Sequence, residues 1–430
     1  MKREEYKESG VEWIGKIPAR SQMKPLHTVA SEVDERNIGG KIQNVQSLSY
    51  GKIVRRDVST NFGLLPASFE THQIVRPGDI VLRLLDLQND HVSLRSGLVP
   101  EDGIVTSAYV TIRPKNGLDS EYAANLLDAY DLKKVFYSFG GGCRQSMGFE
   151  DLKKLPLPYP PALEQRRIAQ YIAKATGKID RLMSLRRRQM ELLREQRAAL
   201  IQQAVTRGLN PRAPLKDSGL PWLGQIPKHW EVKKLGLLAR IGNGSTPSRT
   251  ETGYWTGGSY PWLNSSVVNQ EGVTEAEELV TDRALRECHL PRVQPQSVLV
   301  GITGQGKARG MARLLAFEAT INQHIAYVTV RKPSLEPSYL LLVLKGMYQV
   351  LRLISEGEGS TKGALTCEDL TKLKIPLPPV DEQGEILAHI QCEAAKLDGL
   401  HRGYERQLAL LAEYRASLIH ECVTGQRPVC

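Results

Sequence analysis

The chain has 430 residues, of which 41% are hydrophobic and 24% are charged, so it can bury full cores, and wholesale disorder is excluded. Its length favours two to four domains. Lysine and arginine number 57 against 47 for aspartate and glutamate, a net charge of +10, which makes a polyanion, nucleic acid first, the expected partner. The six cysteines never form Cys-x-x-Cys, which excludes a zinc ribbon and argues against a disulfide framework.

Neither a targeting segment nor a membrane span is expected. The chain opens with Met-Lys-Arg-Glu-Glu-Tyr, which lacks the apolar core of a signal peptide. No apolar run approaches the ~20 residues that a membrane-spanning helix needs. We therefore expect a cytoplasmic protein that makes no contact with a membrane.

Short strands and one helical stretch occur in the same order twice. The segments 79–85 and 107–113 are rich in β-branched residues and partly alternate, which predicts strands, and 121–136 is predicted to be helical. The segments 297–301 and 324–331 are predicted strands, and 339–354 is again predicted to be helical. Each set indicates an α+β domain.

A proline-rich strap and a long helix follow each set. Four prolines between 156 and 161 hold the first strap extended, without helix. Pro161 and Pro379 can begin a helix, and Glu164 and Glu382 suit the positive end of its dipole. No proline interrupts the next ~43 residues, so helices of ~65 Å are predicted over 163–206 and 381–424.

The two halves are copies of one unit. Residues 150–165 match 368–383 at an offset of 218, whereas 7–18 match 216–227 at an offset of 209, so nine extra residues lie in the second copy. The end of the first copy leads through a linker into the start of the second, and the end of the second copy is equivalent to a segment that would lead back into the start of the first. This layout predicts that the two ends of the chain lie close together.

Apolar residues recur in both long helices with a period of 3.5, which requires a partner helix. Residues 164–208 carry eleven basic and four acidic side chains, and 382–426 carry four basic and seven acidic ones, so the nearest partner is the other copy. A parallel pair would need a second domain that spans ~65 Å, so an antiparallel coiled coil with pseudo-two-fold symmetry is expected; two separate solvated helices are the alternative. The seam positions are Ile168, Ile172, Ala175, Ile179, Leu182, Leu193 and Leu200, with Ile386, Ile390, Leu397, Leu400, Tyr404, Leu411, Tyr414 and Leu418.

Catalytic motifs are missing from the sequence, apart from one near match. Residues 301–308 almost spell a P-loop after a strand, but Ala308 replaces the serine or threonine that would bind magnesium, and the first copy has no glycine there. There is no His-Glu-x-x-His, no Gly-x-Ser-x-Gly and no paired metal-ligand spacing. We therefore expect no active site and no metal, and keep a P-loop NTPase as a distant alternative.

Two features carry a resemblance to a known family: the repeated proline-rich strap and the opening pattern Ser-Gly-x-x-Trp-x-Gly-x-Ile-Pro. The segments 242–248, 254–255 and 261–264 add to it. The chain resembles the specificity subunits of type I restriction-modification systems over nearly its whole length. The resemblance implies target recognition domains at 1–155 and 209–373, each followed by a strap and helix, at 156–208 and 374–430.

That resemblance implies a non-catalytic DNA-recognition subunit. Each recognition domain would read one half of a bipartite, asymmetric sequence in double-stranded DNA. The helices would set the spacing and dock two methyltransferase subunits, which restriction and translocase subunits would join. No cofactor is expected on this chain; S-adenosylmethionine, ATP and magnesium would belong to the partners. A standalone sequence-specific regulator is the second alternative.

The residues expected to contact DNA are basic or polar and lie in loops. Lys307 and Arg309 belong to a Gly-rich loop of the second copy, and Arg144 and Lys362, equivalent at the offset of 218, are predicted to be a shared phosphate contact. The full set is Lys41, Gln43, Asn44, Arg55, Arg56, Arg83, Arg144, Asn243, Ser245, Thr246, Asn264, Lys307, Arg309 and Lys362.

Overall fold

The chain folds as two units, and each contains half of both long helices. A computed structural model describes residues 5–57, 68–87, 94–138, 146–270, 272–304, 306–356 and 363–429. The first unit consists of residues 1–187 with 405–430, and the second of residues 188–404. The long helices are therefore part of both units, and each unit is described below by itself.

The first unit is α+β, with a four-stranded antiparallel sheet of order β4-β11-β8-β9. Its strands are β1 (Tyr6–Glu8), β2 (Lys16–Pro18), β3 (Gln22–Pro25), β4 (Ala30–Glu32), β5 (Gln46–Ser49), β6 (Lys52–Arg55), β7 (Gln73–Val75), β8 (Ile80–Leu82), β9 (Ser96–Leu98), β10 (Gly103–Val105), β11 (Val110–Pro114) and β12 (Pro156–Tyr159). Its helices are α1 (Leu26–Val29), α2 (Ser120–Leu132), α3 (Phe149–Leu152) and the first part of α4 (Ala162–Arg207).

The second unit repeats this plan, with a four-stranded antiparallel sheet of order β16-β22-β19-β20. Its strands are β13 (Leu215–Asp217), β14 (Gln225–Pro227), β15 (Glu231–Lys234), β16 (Ala239–Asn243), β17 (Tyr260–Leu263), β18 (Glu278–Val280), β19 (Val298–Gly301), β20 (Ala312–Leu314), β21 (Thr320–Ile321), β22 (Ile325–Val330) and β23 (Lys374–Leu377). Its helices are α5 (Asp282–Glu287), α6 (Pro337–Gly346), α7 (Tyr348–Ser355), α8 (Cys367–Lys372) and the first part of α9 (Val380–Val423).

The expected elements of each domain are present. Each of the four predicted strand segments overlaps an observed strand: β8, β11, β19 and β22. The predicted helix at 121–136 is α2, which the side chain of Asp119 caps by accepting a hydrogen bond from the Tyr122 backbone N–H at 3.0 Å. The predicted helix at 339–354 is interrupted at Met347, between α6 and α7. The α+β prediction for both domains is thus confirmed.

The proline straps form strands. The first strap, β12, pairs antiparallel with β3, and the second, β23, pairs antiparallel with β15. Proline has no N–H to donate, which suits it to short edge ladders of this kind. The sequence predicted the extended conformation of the strap but not its strand partner.

A buried glutamine joins each strap to its domain and to the start of its long helix. Gln165 donates to the Pro160 carbonyl at 2.9 Å and accepts from the Asp119 N–H at 2.8 Å. Gln383 does the same with the Pro378 carbonyl and the Glu336 N–H, both at 2.9 Å. Both glutamines are fully buried. This contact explains the glutamine in the repeated Glu-Gln motif.

The two long helices are antiparallel. In the first unit, Asp180 of α4 pairs with Arg415 of α9 at 3.0 Å. In the second unit, Arg197 of α4 pairs with Asp398 of α9 at 3.2 Å. The two ion pairs are equivalent at the offset of 218. Because the partner number in α9 falls as the residue number in α4 rises, the antiparallel prediction is confirmed and the alternative of two separate helices is wrong.

The packing of the helix pair differs along its length. Ile168 and Ile172 of α4 and Leu418 of α9 are buried in the core of the first unit, together with β8 and α2 residues. Leu182, Leu400 and Tyr414, three of the predicted seam positions, are instead exposed. A straight helix has 3.6 residues per turn, so a strict 3.5 spacing drifts by about 20° per heptad and leaves some seam positions on the surface.

The two ends of the chain lie close together, as predicted. The Tyr6 hydroxyl donates to the Gly425 carbonyl at 3.0 Å. The Gln426 side chain donates to the Ile14 carbonyl at 2.9 Å. Within the described ranges, every helix is too short or too polar to cross a bilayer, and the four cysteines described there are all free.

The helix register predicts a specific cross-link. Cysteines that replace Asp180 and Arg415 should react together with a short bifunctional maleimide, because these two side chains meet in the structure. Asp180→Cys with Asp398→Cys is the matched control, since 398 lies 17 residues from 415 along α9, or ~25 Å. Mass spectrometry of the digested protein, in a Cys392→Ser background, reads out both. A cross-link in the control alone would contradict the antiparallel register.

Replacing the buried glutamine at the start of a long helix should cause a large loss of stability. Gln165→Ala leaves the Asp119 N–H and the Pro160 carbonyl buried without a partner, and each such group costs about 1–3 kcal/mol. We expect a total loss of about 2–4 kcal/mol in the free energy of unfolding, measured by denaturant titration. Gln203→Ala, at an exposed position of the same helix, should change it by less than about 0.5 kcal/mol. Equal effects of the two substitutions would contradict the role of Gln165.

Candidate DNA interface

The loop after β16 is fixed by its own backbone contacts. A Cβ on Gly244 would lie 1.6 Å from the Ile321 carbonyl oxygen, so only glycine fits there. The Ser245 hydroxyl donates to the Cys288 carbonyl at 3.1 Å, and the Trp262 indole donates to the Ser245 carbonyl at 3.1 Å. Asn243 is exposed. Of these two predicted residues, Asn243 can face a ligand directly, whereas the Ser245 side chain already holds the loop.

A chain of polar side chains connects three loops at one end of the second unit's four-stranded sheet. The Thr246 hydroxyl donates to the Gln323 carbonyl oxygen at 2.7 Å, and the Gln323 amide lies 3.2 Å from Nε2 of His324. Nδ1 of His324 lies 2.7 Å from the Thr303 hydroxyl. When Gln323 donates to Nε2, the proton of a neutral ring lies on Nδ1 and is given to Thr303. The result is a surface of paired donors and acceptors, the type of group that reads base edges.

Asn264 supports its own loop. Its side-chain oxygen accepts from the Ser266 N–H at 2.8 Å and begins the 3-10 helix Ser265–Asn269. Its side chain also bonds to Glu278, a contact that contributes to lowering the pKa of that carboxyl after the larger effects of Arg249. The small cavity beside it is lined by Glu275, Glu277 and Glu278, which repel phosphate. Asn264 is therefore placed to shape the loop and has little access to a DNA backbone.

The Gly-rich loop between β19 and β20 presents one lysine and buries one arginine. Lys307 is exposed, and its carbonyl accepts from the Tyr348 hydroxyl at 2.9 Å. The Arg309 side chain is only 6% exposed and pairs with Glu356 at 2.9 Å; it also donates to the Gly363 carbonyl at 2.5 Å. Arg309 is one of the residues predicted to contact DNA, and in the structure its guanidinium already contacts two groups of the chain, Glu356 and the Gly363 carbonyl.

The same loop lacks the architecture of a nucleotide site. A P-loop leads from a strand into a helix whose N-terminus binds phosphate. Here the described part of the loop leads from β19 into another strand, β20, which pairs antiparallel with it. The structure therefore gives no support to the P-loop alternative.

The predicted residues of the first unit fall into two groups. Lys41, Gln43, Arg55, Arg56 and Arg83 are exposed. Asn44 is different, because its amide donates to the Asp102 carbonyl at 2.7 Å and to Glu101 at 3.2 Å. The exposed group can reach phosphates or bases, whereas Asn44 holds the turn before β10.

Arg95 is a supporting residue that the sequence did not reveal. It is fully buried, and its guanidinium donates to the Leu85 carbonyl at 2.9 Å and to the Arg83 carbonyl at 3.2 Å. Its backbone N–H donates to Asp131 at 2.7 Å. Arg95 thus fixes the loop that carries the exposed Arg83. A lone arginine between short apolar segments gives no signal of this role.

Arg249, also not predicted, stacks on aromatic rings in the segment between β16 and β17. Its guanidinium carbon lies 3.8 Å from the centroid of the Trp255 ring and 5.2 Å from that of Trp262. Its side chain pairs with Glu278, which raises the pKa of Arg249 and lowers that of Glu278. The stack is continuous with the recognition loop, because Trp262 donates to Ser245.

Two predicted residues, Arg144 and Lys362, lie outside the described residues. Over the part of the chain that is described, no group of three or more His, Cys, Asp or Glu side chains is arranged to bind a metal ion. What the described loops offer is exposed cations beside paired amide, hydroxyl and imidazole groups, which is the chemistry of DNA contact.

Comparisons with known proteins agree with this arrangement. The family model of the type I restriction modification DNA specificity domain matches residues 96–189 and 227–392, more than half of the chain. A Methanocaldococcus jannaschii protein that carries the name type I restriction enzyme MjaX specificity subunit is 22% identical over 429 residues, or 96% of this chain and 95% of that protein. The EcoR124I/EcoR124II specificity subunit of Escherichia coli is 20% identical over 283 residues, or 64% of each chain.

A solved structure shares the fold. One chain from a study of complex assembly and conformational transition in the type I R-M system superposes with a TM-score of 0.69 at 19% identity. The match covers 96% of this chain and 99% of that chain. Together with the family-model match, this shows that the chain belongs to the type I restriction-modification DNA specificity family.

Proposed function

We propose that this chain is the DNA sequence-recognition subunit of a type I restriction-modification complex and that catalysis lies in its partner subunits. The observation that carries the proposal is a scaffold used twice with different loops. The strap, the buried glutamine and the interhelical ion pair recur at the offset of 218. The segments between β4 and β8 and between β16 and β19 differ in length and in their described strands. Two unlike reading surfaces on one scaffold suit a bipartite, asymmetric target.

Each recognition domain reads one half of that target. In the first domain, Lys41, Gln43, Arg55, Arg56 and Arg83 are proposed contacts, supported by their exposure. In the second, we propose Asn243, Thr246 and Lys307, together with Gln323 and His324 of the polar chain.

The remaining predicted residues take other roles. Arg144 and Lys362 are proposed as equivalent phosphate contacts, one in each copy. Asn44, Ser245, Asn264 and Arg309 are assigned to holding the loops in shape, in view of their internal hydrogen bonds.

The domain boundaries follow the repeat. We assign residues 1–155 and 209–373 to the two target recognition domains, and 156–208 and 374–430 to the straps with their helices. The pairing of β12 with β3 and of β23 with β15 makes each strap the joint between a domain and a helix.

The helix pair sets the spacing of the half-sites and docks the partners. α4 has 46 residues, so it is ~69 Å long, which at ~3.4 Å per base pair caps the separation near ~20 base pairs. The repeated strap and helix offer two equivalent surfaces, hence two methyltransferase subunits, which restriction and translocase subunits join. S-adenosylmethionine, ATP and magnesium are assigned to these partners, and the complex to the cytoplasm.

A standalone DNA-binding regulator is disfavoured. Dimeric regulators read palindromes with identical half-site surfaces. In this chain, the Arg249 stack and the inserted β17–β18 hairpin occur in the second copy only, within the residues described. Two different surfaces would read two different half-sites.

Exchange of one domain should change one half-site. Replacing residues 20–145 with the corresponding segment of another specificity subunit should alter the bases read by the first domain, because the second keeps its own loops. Sequencing of methylated sites in cells that express the chimaera measures this. The other half-site and the gap should be unchanged. A change in both half-sites would contradict the assignment of one half-site to each domain.

The pseudo-two-fold scaffold also predicts a stoichiometry. One chain should bind two methyltransferase subunits, since strap and helix occur twice in equivalent form. Native mass spectrometry of the complex with excess methyltransferase gives the ratio directly. Saturation at one methyltransferase per chain would contradict the proposal of two equivalent docking surfaces.

A further inference from the structure

The second unit contains a basic groove that the reading loops do not account for. It has a volume of about 830 Å³ and lies between α4 and the loop that joins β19 to β20. Five basic side chains and one carboxylate line it: Arg194, Arg197, Lys307, Arg313, Lys345 and Asp398.

The positive charge of the groove is poorly neutralised within the chain. Asp398 pairs with Arg197 at 3.2 Å. Among the residues that the structure describes, no ion pair involves Arg194, Lys307 or Lys345. Desolvation, followed by the nearby charges of Arg313 and Arg197, lowers the pKa of Lys345. An anion in the groove would relieve this repulsion.

Two of these cations are not required by the scaffold that the two units share. In the structure, α2 and α6 are related by an offset of 217, because the buried Gln165 binds the Asp119 N–H and the buried Gln383 binds the Glu336 N–H. Lys345 of the second unit therefore corresponds to Asp128 of the first, and Arg194 corresponds to Ala412 at the offset of 218. Asp128 is half-buried and accepts a hydrogen bond from the Ser96 hydroxyl. A carboxyl group in one unit and a lysine at the equivalent position of the other indicate an anionic ligand on the second unit.

Lys307 identifies the ligand, because it belongs to two surfaces. It lines the groove, and its loop begins at Thr303, which is part of the polar chain with His324. A duplex read by that chain places its sugar-phosphate backbone at the same loop. We propose that the groove binds phosphates next to the bases read by the second recognition domain, which gives this domain a sequence-independent contact with DNA. This inference rests on the proposed function in DNA recognition.

The test removes the two cations that have no counterpart in the first unit. The variant Lys345→Ala with Arg194→Ala takes both charges out of the groove. Lys345 is exposed, and alanine already occupies position 412, the equivalent of Arg194, so the scaffold should accept both changes. Lys345→Gln with Arg194→Gln is a second variant that keeps polar side chains. Lys228→Ala with Arg402→Ala, two exposed residues outside the groove, is the control of equal charge. Each is assembled with the methyltransferase subunits, and binding to target and to unrelated duplexes is measured from 50 to 300 mM salt, roughly the range where counterion release is steep.

The groove variants should weaken binding to both duplexes by the same factor, roughly tenfold at low salt. They should also lower the slope of log affinity against log salt by about 1.8, the value expected for the loss of two phosphate contacts. The control should keep more than half of the affinity. Equal binding by groove variants and wild type would overturn the inference, as would weakening on the target alone, which would mark base reading. Loss of methyltransferase binding by the groove variants would also overturn it, in favour of an acidic partner segment. If the wild-type complex bound no DNA, the proposed function itself would fail.

Discussion

A long helix with an apolar stripe needs a partner along its length, and this constraint explains the layout of the chain. α4 and α9 supply that partner to each other, and each unit contains half of both. The ion pairs Asp180–Arg415 and Arg197–Asp398 are exposed, so each contributes at most about 1 kcal/mol. Burial of isoleucine and leucine contributes about 1.5–3 kcal/mol for each side chain. Apolar packing therefore holds the pair together, and the ion pairs fix its register and direction.

The recognition domains depend on the helices through a small polar joint. Each buried glutamine bonds both to a proline carbonyl of its strap and to the backbone N–H of the N-cap residue of the domain helix. The neighbouring glutamate adds a surface contact: Glu164 binds Arg20 at 2.7 Å, and Glu382 accepts from the Trp230 indole at 3.0 Å. The glutamine contact is the same in both units, whereas the loops between β4 and β8 differ from those between β16 and β19, so one scaffold carries two reading surfaces. At the basic groove, the scaffold itself also differs between the two units.

The sequence predicted the scaffold well because the scaffold is periodic and repeated. Both long helices begin and end within one residue of their predicted limits. The loops were less predictable, because an arginine in a Gly-rich basic segment looks the same whether it faces inwards or outwards. Arg309 was therefore assigned to DNA although it pairs with Glu356. Gln323 and His324 were missed because the hydrogen bonds that define the polar chain join loops distant in sequence.

Two unlike domains on one antiparallel scaffold should read a single bipartite target. Single-molecule sequencing of genomic DNA detects methylated bases directly, and a comparison of cells with and without this chain isolates its contribution. We predict one motif with two different half-sites, separated by a fixed gap of unspecified bases shorter than ~20 base pairs. A palindromic motif, a continuous motif or a gap of variable length would contradict the account.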